Sequence, residues 1–139
     1  MGHAVAAAIG GKLAAPGLPV IALVGDAAFA MNGMEVHTAV EHDAPVVWIV
    51  LNNGGHGMVY HGERVQFKGK FVSSKFSRPI DVARLAESFG ALAYTVEEPN
   101  QLAGALRAAL RSGRPAVIDA RVDLEACPPT ANRFETLDR

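Results

Sequence analysis

The sequence of 139 residues has little of what marks several large classes of protein. Its single cysteine, Cys127, excludes an internal disulfide, and the paired cysteines of a zinc site are absent. We therefore expect a reducing compartment and assign the chain to the cytoplasm. A bias toward charge of one sign is also missing. Because 13 basic residues balance 14 acidic ones, the net charge of −1 gives no electrostatic reason to expect nucleic acid or an anionic membrane as a partner.

Long apolar runs are missing as well, so no membrane-spanning helix of roughly 18 or more residues is expected. Residues 1–17 are rich in alanine, but Lys12 and several glycines interrupt them and no charged segment precedes them, which argues against a secretory signal. The glycine pattern G-x-G-x-x-G does not follow the first apolar run, so a nicotinamide dinucleotide is not expected. Hydrophobic residues make up 50% of the chain, which is enough for the core of one domain.

Helical and strand patterns alternate along the chain. The predicted helices lie at 2–15, 32–42, 80–89 and 99–112, and the predicted strands at 19–26, 45–53, 91–97 and 115–123. Asp81 is a suitable N-cap for the third helix, and Gly90 a suitable residue to follow its last turn. This alternation predicts an α/β fold with a mainly parallel sheet and helices on both faces.

Two further expectations concern packing and domain bounds. The short apolar strands at 19–26 and 45–53 are expected to be buried on both faces, as in a parallel sheet. Residues 54–79 are polar, contain glycine and show no clear pattern, so we predict a long connection there, of the kind that is usually functional or mobile. We place one domain at 1–125 and an irregular tail at 126–139.

Polar residues end the first two predicted strands. Asp26 follows the strand at 19–26, and Asn53 ends the strand at 45–53. Ligands of parallel sheets bind at the carboxyl ends of the strands, so we expect both side chains to reach one crevice. Either residue alone is typical of an ordinary turn, but the two at matching strand ends favour a site. Carboxylate and amide oxygens suit Mg²⁺ or Ca²⁺ rather than zinc.

Too few carboxylates are present to enclose such a cation, so a phosphate of a ligand is expected to complete its coordination. The small residues Gly25, Ala27 and Ala28 leave room for a diphosphate beside the backbone. A helix that begins near Phe29 is expected to point its positive end at this diphosphate.

The segment GDAAFAMNGMEVHTAVEHDAPVVWIVLNN resembles the motif of thiamine-diphosphate-dependent enzymes. In that motif Gly-Asp-Gly is followed after about 25 residues by Asn-Asn, and here 25 residues separate Asp26 from Asn52. Other segments resemble acetolactate-synthase-like enzymes, and together they cover nearly the whole chain: MGHAVAAAIGGKLA, GGHGM, PIDVARLAESFGA and SGRPAVIDARVD.

The resemblance implies thiamine diphosphate and Mg²⁺ as cofactors. It implies that the metal is bound by the side chains of Asp26 and Asn53 and by the backbone carbonyl of Gly55. It implies a wedge residue at Met1 that holds the cofactor in its bent form. The full set of implied cofactor-binding residues is Met1, Gly25, Asp26, Ala27, Ala28, Asn53, Gly55, His56, Gly57 and Met58. His56, Met58 and His61 are the candidates for contact with substrate.

Two residues depart from the family pattern. Ala27 stands where the motif has its second glycine, and no tryptophan follows four residues after Met58. The family's activating glutamate belongs to a separate pyrimidine-binding domain, for which this chain has no room. The catalytic residues therefore remain unassigned here. Whether Met1 is a natural start or the result of truncation is open from the sequence.

The resemblance implies part of a thiamine-diphosphate-dependent lyase or transferase. We expect a split subunit or fragment of a 2-oxo acid decarboxylase or carboligase, inactive without a pyrimidine-binding domain on another chain, and a homo- or hetero-oligomer. Two alternatives stay open. One is the small subunit of a two-chain sulfopyruvate or phosphonopyruvate decarboxylase, whose anionic substrate would contact the basic residues of the loop. The other is a non-catalytic remnant that still binds thiamine diphosphate.

Overall fold

The structure, a computed structural model, describes residues 1–126, and the rest of the predicted tail lies outside this range. The helices are α1 (His3–Ala14), α2 (Asp26–Asn32), α3 (Glu35–Glu41), α4 (Gly57–Gln66), α5 (Val82–Ser88) and α6 (Pro99–Ser112). The strands are β1 (Val20–Gly25), β2 (Val46–Asn52), β3 (Leu92–Val96) and β4 (Ala116–Arg121). Within residues 1–126 no helix combines the length and apolarity that crossing a membrane needs.

The four strands form one parallel sheet with the order β1-β2-β4-β3. Gly25 at the end of β1 pairs with Leu51 of β2, and Asn52 pairs with Arg121 at the end of β4. The carboxyl ends of these three strands therefore lie side by side at one edge of the sheet. The predicted α/β fold with a parallel sheet is confirmed.

Helices cover both faces of the sheet, as predicted. On one face, α1, α2, α3 and α5 enclose a core that includes Phe29 and Trp48, both fully buried. The indole nitrogen of Trp48 donates to the carbonyl oxygen of Val5 at 3.3 Å, which ties α1 to β2. On the other face, α6 packs against β2, β3 and β4 around Ile49 and Ile118.

The prediction that β1 is buried on both faces is wrong. Ile21 and Leu23 remain 43% and 67% exposed, whereas Val24 on the other face is buried. The cause lies in the topology, because β1 is an edge strand and α6 packs over the three strands beyond it. For β2 the prediction holds except near the end of the strand, where Leu51 is 42% exposed.

The predicted helix at 32–42 corresponds to α3, and a separate helix, α2, precedes it. α2 begins at Asp26 rather than near Phe29, directly after β1. Gly33 separates it from α3, and a Cβ at this position would lie 2.9 Å from the ring of Phe29. A close approach of this kind depends on tertiary packing, so the local pattern does not reveal the break.

The region 54–79 is not an irregular connection throughout, because it contains α4. Helix α4 buries few residues, namely Tyr60 and His61, so the helical repeat of apolar residues in its sequence is weak. The Tyr60 ring stacks on Phe71 with centroids 4.5 Å apart, and its hydroxyl donates to Glu125 beyond β4. These contacts hold α4 across the carboxyl edge of the sheet.

Candidate functional site

Asp26 lies at the carboxyl edge of the sheet and is 1% exposed. Its Oδ2 accepts hydrogen bonds from the backbone N–H groups of Gly54 at 2.9 Å and Gly55 at 3.2 Å. Its Oδ1 accepts from the N–H of Ala27 at 2.9 Å. The carboxylate therefore joins the end of β1 to the loop that follows β2.

Asn53 reaches the same place from β2. Its Oδ1 accepts from the N–H of Gly55 at 3.1 Å, the same group that Asp26 contacts. The side-chain oxygens of Asp26 and Asn53 thus converge on one backbone nitrogen. The expectation that both side chains reach one crevice agrees with this geometry.

Two glycines permit this arrangement, because neighbouring atoms approach their Cα atoms so closely that a side chain would not fit. A Cβ at Gly55 would lie 2.3 Å from the carbonyl oxygen of Ser74, and a Cβ at Gly57 would lie 2.6 Å from Nδ2 of Asn53. Neither position has room for a side chain without movement of its neighbour. Gly57 therefore lets the amide of Asn53 rest against the start of α4.

The oxygen atoms at this point have capacity left for a cation. A carboxylate can accept about four hydrogen bonds, and that of Asp26 accepts three, from the N–H groups of Ala27, Gly54 and Gly55. The carbonyl oxygen of Gly55 accepts no hydrogen bond within residues 1–126. A carboxylate, an amide and a carbonyl oxygen form a hard donor set that fits Mg²⁺.

These atoms do not enclose a cation by themselves. Across the described residues, no group of three or more His, Cys, Asp or Glu side chains is placed to hold a metal ion. Oxygen atoms from a ligand and from water would have to complete the six positions that Mg²⁺ requires. The site therefore fits a metal that arrives with a phosphate.

Space for such a ligand lies beside the end of β1. Gly25 is exposed, and a Cβ built on it meets nothing within 4 Å. Ala27 is 8% exposed in the first turn of α2, and its φ is outside the left-handed region, so alanine fits there without backbone strain. Ala28 follows it on the same turn and is half-buried.

The remaining candidates surround this edge of the sheet. Met1 is 79% exposed and precedes Gly2, whose backbone approaches Met31 so closely that a Cβ would lie 3.2 Å from the Cβ of that residue. Met58 is 77% exposed in the first turn of α4. Met1 and Met58 are thus two large apolar side chains that remain exposed.

The two histidines near α4 differ in environment. His56 is half-buried, and its ring packs edge-on against Phe76 with centroids 5.1 Å apart. His61 is 6% exposed and packs against the ring of Tyr60. His56 is therefore partly exposed, whereas contact between His61 and a substrate would require its ring to become exposed.

A buried polar pair adjoins the site and was missed by the sequence reasoning. Asp119 in β4 is 0% exposed, and its Oδ1 accepts from Nδ2 of Asn52 at 2.9 Å. Its Oδ2 forms an ion pair with Arg121 at 2.9 Å. Burial raises the pKa of the Asp119 carboxyl above its usual value, against the opposing effects of Asn52 and Arg121. The signal in the sequence was Asp119 directly after the apolar residues PAVI.

A shallow cavity of about 360 Å³, widely open to solvent, lies next to the loop that carries Gly54 and Gly55, which pair with Phe76 and Lys75. Its lining residues are Lys75, Phe76, Ser77, Arg78 and Ile80. Lys75 is held near Glu125 at 3.9 Å, and Arg78 has no ion pair within residues 1–126. Lys75 and Arg78 are thus two basic residues of the segment 54–79 that line the cavity.

Comparison with known proteins identifies relatives of this chain. The family described as thiamine pyrophosphate enzyme, C-terminal TPP binding domain, matches residues 1–120. The chain is 34% identical over 99% of its length to a probable acetolactate synthase large subunit of Methanococcus aeolicus. It is 38% identical over 88% of its length to an acetolactate synthase of Bacillus subtilis.

A solved structure agrees with this likeness. The thiamine diphosphate-dependent 4-hydroxybenzoylformate decarboxylase of Rhodococcus jostii RHA1 superposes on 88% of the chain with a TM-score of 0.82 and 29% sequence identity. The chain spans only 24% and 21% of the two acetolactate synthases and 23% of the decarboxylase. The likeness therefore concerns one domain of each relative.

Proposed function

Because the chain belongs to the thiamine pyrophosphate enzymes, as a C-terminal cofactor-binding domain of the acetolactate-synthase-like family, we propose that it binds the diphosphate of the cofactor through Mg²⁺. The cofactor of this family is thiamine diphosphate, with Mg²⁺ as its usual companion. The ligands from this chain are Asp26, Asn53 and the carbonyl of Gly55. The observation that supports them is the convergence of the Asp26 and Asn53 oxygens on one N–H group.

Other residues of the crevice complete the proposed cofactor site. Gly25, Ala27 and Ala28 border the diphosphate, because the end of β1 is open there. The backbone from His56 to Met58 closes over it from the start of α4. Met1, exposed at the same edge, acts as the wedge under the bent cofactor.

The proposed reaction is decarboxylation of a 2-oxo acid or carboligation of its product. When bound, the thiazolium ring of the cofactor supplies an electron sink for this chemistry. The residues of this chain bind and orient the diphosphate, and Met58 and His56 are positioned to contact substrate and limit the access of water. Contact between His61 and substrate stays a prediction.

Activity is proposed to need a second domain. The activating glutamate would come from a pyrimidine-binding domain on another chain, so the described domain alone would be inactive. The shared domain accounts for less than a quarter of each relative's length, which supports the need for additional protein.

Calorimetric titration of the purified chain with thiamine diphosphate tests the cofactor site. We expect binding in Mg²⁺ and loss of binding in EDTA or in Asp26→Ala, because either change removes the charge that links the diphosphate to the protein. Glu87→Ala, which removes an exposed carboxylate from α5, is the matched control and should bind as the wild type does.

Thermal unfolding of each variant shows whether lost binding reflects lost folding. Asn53→Ala provides a second test, since its side chain accepts only one hydrogen bond in the described region and should be tolerated by the fold. If folded wild-type chain fails to bind, both alone and when co-purified with its native partners, the proposed cofactor site is wrong.

A second candidate reaction is favoured by the cavity near Gly54. Lys75 and Arg78 line it, so it suits a 2-oxo acid that carries a second anionic group, as sulfopyruvate and phosphonopyruvate do. We expect an enzyme reconstituted with its partner to prefer such a substrate, and Arg78→Ala to raise its KM with little change in kcat. Equal use of neutral and anionic 2-oxo acids by the wild type would exclude this candidate.

A further inference from the structure

Asn52 and Asp119 form a buried contact directly behind the proposed metal ligands. Asn52 is 3% exposed, and its Nδ2 donates both to Asp119 at 2.9 Å and to the carbonyl oxygen of Ile80 at 3.0 Å. Its backbone carbonyl accepts from the N–H of Val122 at 3.0 Å. The last residue of β2 is thus held from β4 and from the start of α5.

We propose that Asp119 is a positioning residue for the metal site, acting through Asn52 on Asn53. This inference rests on the proposed function, because it concerns the same site. Asp119 itself would contact neither metal nor cofactor.

The adjacency of Asn52 and Asn53 explains how the effect is transmitted. Asn52 is the last residue of β2 and Asn53 follows it directly, so the contacts that fix Asn52 also fix the peptide from which the Asn53 side chain projects. Asn53 then reaches the N–H of Gly55, which it shares with Asp26. If Asn52 loses its anchor, the amide of Asn53 is no longer held in the direction that a metal ligand needs.

The composition of this contact argues against a purely stabilising role. Asp119 is a fully buried carboxylate in β4, and Oδ1 of Asn52 is buried without a hydrogen-bond partner among the residues described. Both features cost stability relative to two apolar side chains of the same shape, because replacement of a whole buried polar pair is often neutral or stabilising. The pair is therefore better explained by its effect on the neighbouring site than by its contribution to folding.

The test compares Asp119→Leu and Asp119→Asn with the wild-type chain. Asp119→Leu removes the acceptor for Asn52, and we expect the Kd for thiamine diphosphate in Mg²⁺ to rise about tenfold or more, as for other partners that orient metal-binding side chains. The melting temperature should fall, because Nδ2 of Asn52 and the guanidinium of Arg121 each lose an acceptor, so Kd is measured at a temperature where the variant is fully folded. Asp119→Asn retains an acceptor oxygen of the same reach and should restore binding to within about threefold of the wild type.

Ile118→Val is the matched control, because Ile118 precedes Asp119 in β4, is fully buried and faces the α6 side. It should lower the melting temperature by a few degrees and leave Kd unchanged. If Asp119 had a structural role alone, folded Asp119→Leu would bind thiamine diphosphate as tightly as Ile118→Val does, despite its lower melting temperature.

Hydrogen exchange of the Gly55 amide separates this inference from the proposed function, because it needs no cofactor. We expect faster exchange at Gly55 in Asp119→Leu than in the wild type and no change in Ile118→Val. Faster exchange would keep the positioning role of Asp119 even if the wild-type chain bound no cofactor, both alone and with its native partners, which would refute the proposed function. Unchanged exchange at Gly55 in Asp119→Leu would overturn the inference.

Discussion

Gly57 is the residue whose replacement bears most directly on the position of the Asn53 amide. Its Cα lies so close to Asn53 that an added methyl group would be 2.6 Å from Nδ2. We expect Gly57→Ala to displace the amide and raise the Kd for thiamine diphosphate in Mg²⁺ by about tenfold, since small displacements of metal-binding groups are costly. Calorimetric titration measures this effect.

Gly62 offers a control of the same kind in the same helix. A Cβ at this position of α4 meets nothing within 4 Å, so Gly62→Ala should stabilise the chain by about 0.5–1 kcal/mol through helix propensity and leave Kd unchanged. Equal binding by the two alanine variants would show that the position of the Asn53 amide does not determine affinity.

At the scale of single residues, the sequence predicted site residues at the ends of strands better than site residues within strands. Asp26 and Asn53 were predicted to meet because parallel strands end at one edge, and their oxygens do converge. Asp119 acts through Asn52, which lies 67 residues away in the sequence, whereas Gly57 contacts Asn53 closely because of the fold of the loop between them. Local patterns contain no information about such contacts, so the role of Asp119 was not predicted, and Gly57 was predicted only as a cofactor-binding residue.

At the scale of elements, the prediction succeeded where the apolar pattern was strong and local signals marked the ends. Asp81 caps α5 by accepting from the N–H of Arg84 at 3.0 Å, and Gly113 ends α6 with a φ of 63°, the left-handed conformation that favours glycine. α4 was missed because it buries only Tyr60 and His61 and is held by contacts to Phe71 and Glu125 instead.

Strand β1 shows the limit of inference from an apolar run. Its sequence, VIALVG, is apolar at every position, and this predicts burial on both faces. Burial also needs an element that covers each face, and among the described residues Ile21 and Leu23 lack one. The sequence of a strand therefore indicates which environment would suit its side chains. The topology of the sheet determines whether other elements cover both faces of that strand.

At the scale of the whole molecule, the exposed face of β1 and its unpaired edge form one surface. Ile21 and Leu23 lie on it beside Leu51 of β2, and all three are more than 40% exposed. No charged residue occurs between Pro16 and Gly25 to discourage pairing with another strand. An uncharged apolar edge of this kind favours association with other protein.

We expect the purified chain to self-associate through this surface, and Leu23→Lys to shift it toward monomer. A lysine on the exposed face places a charge where a second copy would have to bury it, so the dissociation constant should rise at least tenfold. Sedimentation velocity over a range of concentrations measures the shift. Val72→Lys is the control, because Val72 is 90% exposed in the loop after α4 and away from β1, and it should associate as the wild type does. If Leu23→Lys and Val72→Lys have the same mass distribution at every concentration, the β1 surface is not where copies of this chain meet.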